Sequence, residues 1–258
     1  MLRIDILRST ALALLAVFGL LAVACSAEDN RTSISEHEVY QLRRQAMVKQ
    51  HIAGRGIGDS AVLAAMGSVP RHLFVPTAYR EGAYGDFPLP IEHGQTISQP
   101  YIVAAMTELL KPDSTSRILE VGTGSGYQAA ILAEIVDSVF TIEIVAPLAV
   151  RAEELLDSLG YDNIVVKAGD GFAGWPEHAP FDGVIVTCAP SNVPRPLVEQ
   201  LAEGGRMVIP VGDITQELVV LTKHTDSLVR EVAFPVRFVP MTGEAQTDSA
   251  RFDSTTSK

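Results

Sequence analysis

The sequence predicts an α/β protein built on a doubly wound, mostly parallel sheet, with helices on both faces, N-terminal helices ahead of it and an antiparallel hairpin at one edge. Three observations carry this. Apolar runs of strand length alternate with segments of helical spacing between residues 117 and 211. A glycine-rich turn, Gly122-Thr123-Gly124-Ser125-Gly126, joins the first such run to a helical segment that begins at Tyr127. Two later runs, 218–222 and 228–239, have no helix between them and are expected to pair with each other.

The elements follow in order. Residues 36–51 and 59–66 have helical spacing, with Val39, Leu42 and Ala46 on one apolar stripe and Val62, Ala65 and Met66 on the other. The stretch 70–100 is rich in Pro and Gly and reads as loop. Gln99-Pro100 then opens a helix whose inward face is Ile102, Val103, Met106, Leu109 and Leu110, because proline suits the first helical position; Lys111-Pro112 stops it. Strand 117–121 leads through the glycines to helix 127–136, strand 139–144, and helix 147–159, which Gly160 ends. Strands 164–167 and 182–187, a short helix 197–201 and strand 206–211 complete the alternation.

Size and composition bound the rest. A chain of 258 residues with 47% hydrophobic content supports one domain of about 200 residues. The net charge of −11, from 20 Lys and Arg against 31 Asp and Glu, lacks the basic face that binding to DNA or RNA requires. The two cysteines, Cys25 and Cys188, form no Cys/His cluster with zinc spacing, so neither a metal site nor a disulfide framework is expected. Arg3 and Arg8 precede an apolar run, Ala11 to Ala24, that is too short to span a membrane comfortably and has the character of an export leader. Leu21-Ala22-Val23-Ala24-Cys25 resembles a bacterial lipoprotein signal, whose cysteine would be lipidated and would attach the chain to a membrane. The expected divisions are a leader over 1–25, a polar tether over 26–35, a domain over 36–241 and a disordered tail over 242–258. Location stays open between the cell envelope and the cytoplasm, and a monomer is the expected state.

The glycines point to a ligand. Without side chains, the backbone N–H groups at a helix start can meet a polar or anionic group directly, which makes the turn a nucleotide or nucleoside cradle. A dinucleotide fingerprint wants its third glycine where Tyr127 stands, and this weakens a nicotinamide-dependent oxidoreductase reading. Glu143 ends the second strand about 20 residues past the first glycines, where a carboxylate accepts hydrogen bonds from a ribose diol. Gly122 to Gly126, Glu143, Asp170 and Thr187 all fall at the carboxyl ends of predicted strands, where such sheets bind ligands.

Segments beyond the glycine loop carry a family resemblance. Leu119 to Tyr127 resembles the first motif of class I S-adenosylmethionine-dependent methyltransferases. Gly94 to Tyr101, Gly169-Asp170-Gly171, Phe181 to Pro190, Leu201 to Met207 and Val236 to Pro240 narrow the likeness to protein-L-isoaspartate O-methyltransferases, in family order over residues 40–241. The resemblance implies a Rossmann-like fold and methyl transfer from S-adenosyl-L-methionine to the α-carboxyl of L-isoaspartyl residues in damaged proteins and peptides. The ester would cyclise to a succinimide, which makes the reaction a repair.

The resemblance also assigns residues. Ser98 matches the family's active-site serine, with Thr96 beside it and Val239 in a wall over the peptide substrate; Ser98 read locally merely helps cap the helix at Pro100. Gly122, Thr123, Gly124 and Gly126 would admit the methionine part of the cofactor, Glu143 its ribose, and Asp170-Gly171 its adenine. Glu120 is either near the cofactor's amino group or a strand-end acid in solvent. Cys188 reads as a small buried residue and His93 as a solvated loop residue, while Glu92 puts a charge beside the peptide-binding segment. A carboxylate nucleophile with a pKa of about 4 is ionised at neutral pH and needs no general base. The competing reading is a tethered module that binds S-adenosylmethionine and transfers nothing.

Overall fold

The computed structural model describes residues 35–247, so the leader, Cys25, the tether before Ser35 and the tail beyond 247 lie outside the described residues. Helix α1, Glu36–Met47, starts with a reciprocal cap: Ser35 Oγ accepts the Glu38 N–H at 3.2 Å and Glu38 Oε2 accepts the Ser35 N–H at 2.8 Å. Among the described residues, those from Tyr40 onward form one compact unit. A π-helical turn, Val48–Ile52, follows α1, and Asp59 caps α2, Ser60–Ser68, through the N–H groups of Ala61 and Val62.

The stretch 70–100 is more structured than its composition predicts. It holds 3₁₀ turns at Arg71–Phe74, Thr77–Gly82 and Glu92–Gly94, and a short antiparallel ladder between β1, Leu89–Pro90, and β2, Thr96–Ile97. Pro100 then occupies the first turn of α3, Pro100–Leu110, as expected.

The alternating part runs β3 (Arg117–Val121), α4 (Tyr127–Ala133), β4 (Ser138–Glu143), α5 (Ala146–Ser158), β5 (Ile164–Ala168), β6 (Phe181–Val186), α6 (Arg195–Glu199), β7 (Leu201–Val211), β8 (Gln216–His224) and β9 (Ser227–Val236). The strand order is β5-β4-β3-β6-β7-β8-β9. Every pair from β5 to β7 is parallel, and β8 runs antiparallel to both its neighbours. The predicted hairpin is therefore present at one edge. Chain order reverses direction between β3 and β6, which opens a crevice at their carboxyl ends.

Alternation along the strands sorts two cores. Ile118, Val139, Ile185 and Val208 pack on one face with residues of α2, α3 and α4, including Met66, Met106 and Leu132. Leu119, Phe140, Val184 and Met207 point the other way, toward Leu197 and Val198 of α6.

Helices expected over 36–51 and 127–136 end at Met47 and Ala133, and the run expected to 239 ends its strand at Val236; two further departures have a visible cause. Leu201 begins β7 instead of ending a helix, since Lys223 Nζ donates to the carbonyls of Val198, Glu199 and Leu201 and closes α6 early. The expected tail from 242 begins with ordered chain, since Gly243–Gln246 forms a 3₁₀ turn and Asp170 holds the Glu244 N–H.

Candidate functional site

A cleft of about 590 Å³ lies at the switch point, walled by Gly122, Gly124, Glu143, Asp170, Thr187 and Val239 among others. A recess of about 330 Å³ shares Thr96, Gly122, Gly124 and Thr187 with it and reaches Ser98 and Gln128. Two adjoining spaces suit a long cofactor and a second reactant.

The glycine loop is held open by its backbone. Gly122, Gly124 and Gly126 have φ values of +98°, +54° and +86°, a region that side chains rarely adopt. Gly122 also needs its small size, because a Cβ there would stand 2.3 Å from Thr187 Oγ1. That hydroxyl donates to the Gly122 carbonyl at 2.6 Å, joining the ends of β3 and β6. The Gly122 N–H donates to the Ile142 carbonyl at 2.8 Å, joining the loop to β4.

Glu143 is 5% exposed and works on both sides of the cleft's edge. Its Oε2 accepts the Gly124 N–H at 2.8 Å and its Oε1 accepts the Val145 N–H at 2.9 Å. Each oxygen keeps a further lone pair for a diol in the cleft. Asp170 has a similar arrangement: Oδ1 accepts the Phe172 N–H at 2.9 Å and Oδ2 the Glu244 N–H at 2.7 Å. Gly171 permits β3 to approach, since a Cβ there would lie 2.4 Å from Val121 Cγ1.

Thr123, expected from the resemblance to bind the cofactor, turns its side chain away from the larger cleft. It is 3% exposed, and its hydroxyl pairs with that of Thr141 at 2.6 Å beneath the loop; it borders only the smaller recess. Thr141 in turn donates to Glu120 Oε2 at 2.6 Å, as the β3–β4 register places Glu120 opposite Thr141. Glu120 is fully buried and its Oε1 has no hydrogen-bond partner, so the reading of a solvent-exposed acid is corrected. Burial, with the nearby charge of Glu143 as a lesser cause, pushes its carboxyl up to about 8, against the opposing pull of the Thr141 hydrogen bond.

Ser98 sits half-buried between β2 and α3, and Thr96 is exposed at the mouth of both spaces. Neither Ser98 nor Gln99 caps α3: Gln99, at the cap position, donates its amide to the Asp86 carbonyl at 3.0 Å, and Asp86 Oδ1 accepts the first-turn N–H of Tyr101 at 3.1 Å. The capping role considered for Ser98 and Gln99 is therefore not what the structure uses. Val239 is held over the cleft by a bridge in which the Ala189 N–H donates to its carbonyl at 2.8 Å. Cys188 lines the cleft, with its thiol pushed up to about 12 by burial and by the carboxylates of Glu143 and Asp170. It stays protonated at neutral pH and is no nucleophile. His93 is exposed, and Glu92 pairs with Arg151 of α5. Met241 and Thr242 also line the cleft; the sequence signal for them was only an apolar residue just ahead of a polar tail.

The description protein-L-isoaspartate(D-aspartate) O-methyltransferase belongs to a family model that matches residues 42–246. The chain belongs to this family. A protein-L-isoaspartate O-methyltransferase of Picosynechococcus sp. is 56% identical over 202 residues, covering 78% of this chain and 91% of that one. Its counterpart in Opitutus terrae is 51% identical over 239 residues, covering 92% of this chain and 98% of the relative. Among solved structures, a protein-L-isoaspartate O-methyltransferase superposes with a TM-score of 0.70 at 28% identity, covering 80% of this chain and 67% of that one. A Plasmodium falciparum structure assigned to the same family, in complex with S-adenosyl-L-homocysteine, gives 0.67 at 27% identity, covering 77% of this chain and 98% of that one. The family match takes in the sheet, the glycine loop and the strap from Val239 to Gln246.

Proposed function

We propose that the protein transfers a methyl group from S-adenosyl-L-methionine to the α-carboxyl of L-isoaspartyl residues in damaged proteins and peptides. The observation that carries the reading is the cleft at the switch point, with its left-handed glycine loop and the buried carboxylate of Glu143, in a chain of this family.

The residues fit the cofactor. A Cβ at Gly122 or Gly171 would meet Thr187 or Val121, and the same bare backbone borders the cleft. Gly122 and Gly124 would hold the methionine end, Glu143 the ribose hydroxyls and Asp170-Gly171 the adenine, while Gly126, expected beside them, borders neither space and packs against Leu156 and Ala152 of α5. Thr123 contributes through the loop it anchors, since its hydroxyl is engaged below. When bound, S-adenosyl-L-methionine would supply a methyl group on a sulfonium sulfur, the C–S bond breaking to the neutral thioether as the C–O bond to the carboxylate forms.

The protein's own part is placement. The isoaspartyl carboxylate is ionised at neutral pH, so no base has to remove a proton. Ser98 donates its hydroxyl to one carboxylate oxygen and leaves the other free to attack, with Thr96 and Val239 bounding the peptide. Holding the reacting oxygen in line and excluding water from it supplies the rate.

The test is transfer of labelled methyl to a peptide containing L-isoaspartate beside its normal aspartyl twin. Transfer to the isoaspartyl peptide alone is expected. Tight cofactor binding with no transfer to either peptide would favour the non-catalytic module.

The leader is a separate proposal resting on sequence. Export and lipidation at Cys25 predict incorporation of labelled fatty acid into the full chain and its loss in Cys25→Ala; a wholly soluble, unlabelled chain would overturn it. A monomer is proposed for the domain, to be read from its mass in solution.

A further inference from the structure

We propose that Arg71 is a positioning residue for methyl transfer, fixing the Ser98 segment against the head of α4. The proposal rests on the assignment of Ser98 to the substrate carboxylate and adds the residue through which the core sets its place.

Arg71 lies in the 3₁₀ turn after α2, far in sequence from the site, yet its side chain is fully buried. Burying a guanidinium is costly unless its donors are met, so its retention in the interior needs a reason. Its Nε donates to the Ala83 carbonyl at 2.8 Å, and its Nη2 donates to the Ser98 carbonyl at 2.7 Å. Its guanidinium carbon lies 4.8 Å from the centroid of the Tyr127 ring. Tyr127 is the first residue of α4, immediately after Gly126 of the glycine loop. One planar group therefore touches both walls of the smaller recess: the strand-to-helix segment that carries Ser98, and the helix that follows the cofactor loop.

The environment supports a specific fork over a bare charge. No ion pair among the described residues includes Arg71, and its Nη1 has no hydrogen-bond partner. Burial lowers its pKa from the ordinary value. Asp86, whose charge favours the ionised Arg71, is itself engaged elsewhere: its Oδ2 pairs with Arg55 and its Oδ1 accepts the Tyr101 N–H. The contacts available to Arg71 are two carbonyls in fixed directions and an aromatic face, which a guanidinium can satisfy together and an ammonium cannot. Asp86 pins the neighbours of Ser98, taking the Gln99 amide and the Tyr101 N–H, whereas Arg71 is the group that holds the Ser98 carbonyl itself and ties it to the buried interior.

The experiment is a double-mutant cycle of Arg71→Lys and Ser98→Ala in the full chain, reading kcat and KM for the isoaspartyl peptide and the dissociation constant of S-adenosylmethionine. Ser98→Ala is read first: no loss of turnover would sink the Ser98 assignment and this proposal with it. With Ser98 present, Arg71→Lys is expected to lower kcat about tenfold or more, while cofactor affinity changes less than about threefold. In the Ser98→Ala background the same substitution should cost less than about threefold, because the group it positions is gone. Equal losses in both backgrounds, or a loss confined to cofactor affinity, would overturn the role of Arg71 and leave Ser98 standing. If circular dichroism shows that Arg71→Lys does not fold, Arg71→Gln, which keeps an amide donor without the buried charge, takes its place. Failure of both to fold assigns Arg71 to core stability alone and overturns the proposal.

Discussion

Glu143 Oε2 accepts the Gly124 N–H at 2.8 Å, so one buried carboxylate at the end of β4 fixes the middle of the glycine loop and faces the cleft at once. Removing it should loosen the loop and take away the partner of the ribose hydroxyls. Hydrogen bonds to charged groups are worth about 1.5–3 kcal/mol, so Glu143→Ala should weaken S-adenosylmethionine binding by roughly 10- to 100-fold. Calorimetric titration measures this directly. Unchanged affinity would remove Glu143 from the cofactor site.

Gly122 is constrained twice, by φ of +98° and by Thr187 Oγ1 at 2.3 Å from where a Cβ would stand. Gly122→Ala should therefore destabilise the fold by roughly 2 kcal/mol or more and abolish cofactor binding. Adding Thr187→Ala removes the clash but not the backbone strain. The double variant should recover part of the lost melting temperature and little of the binding, and full recovery of both would show that φ at this position is unimportant.

The strands and the glycine turn were legible because period-two and helical spacings report burial directly, and because only glycine suits three left-handed positions in five residues. Gly122, Gly124, Glu143, Asp170 and Thr187 were placed together correctly, since topology sends all strand ends to one side. What was missed depends on neighbours remote in sequence. Sequence leaves Glu120 open between a cofactor neighbour and an acid in solvent, and its burial follows only from β3 lying between β4 and β6, with Thr141 opposite it. The Thr123 side chain went below the loop for the same reason, to meet Thr141. Arg71 gave no signal at all, because a lone arginine in a Pro-flanked turn normally faces water, and its partners Ala83, Ser98 and Tyr127 come together only in the fold.

The buried acid predicts a pH dependence. Glu120 titrates near 8 in the folded protein against 4.5 in the unfolded chain, so between these values the unfolded state gives up a proton that the folded state keeps. Stability of the cofactor-free protein from this group therefore falls as pH rises from about 4.5 to about 8 and is level beyond. Glu120→Gln removes that slope, and its advantage over the parent should grow across the window to on the order of 3 kcal/mol. Denaturant melts at pH 5 and pH 8 check it. Equal differences at the two pH values would mean that Glu120 is ionised in the fold throughout.

Asp170 links the cleft to the strap that closes over it, through Phe172 on one oxygen and Glu244 on the other. The amide of Asp170→Asn has only one acceptor oxygen, so one of these two N–H groups must lose its partner. The strap from Val239 to Gln246 is held by few other bonds, chiefly those of Ala189 to Val239 and Met241. Hydrogen exchange should therefore quicken across 239–246 in Asp170→Asn, and cofactor affinity should fall by about tenfold as the adenine side opens. Faster exchange with unchanged affinity would make Asp170 a tether for the strap alone. Slower cofactor release in the variant would count against a closing role for the strap, because a loosened cover cannot hold its ligand longer.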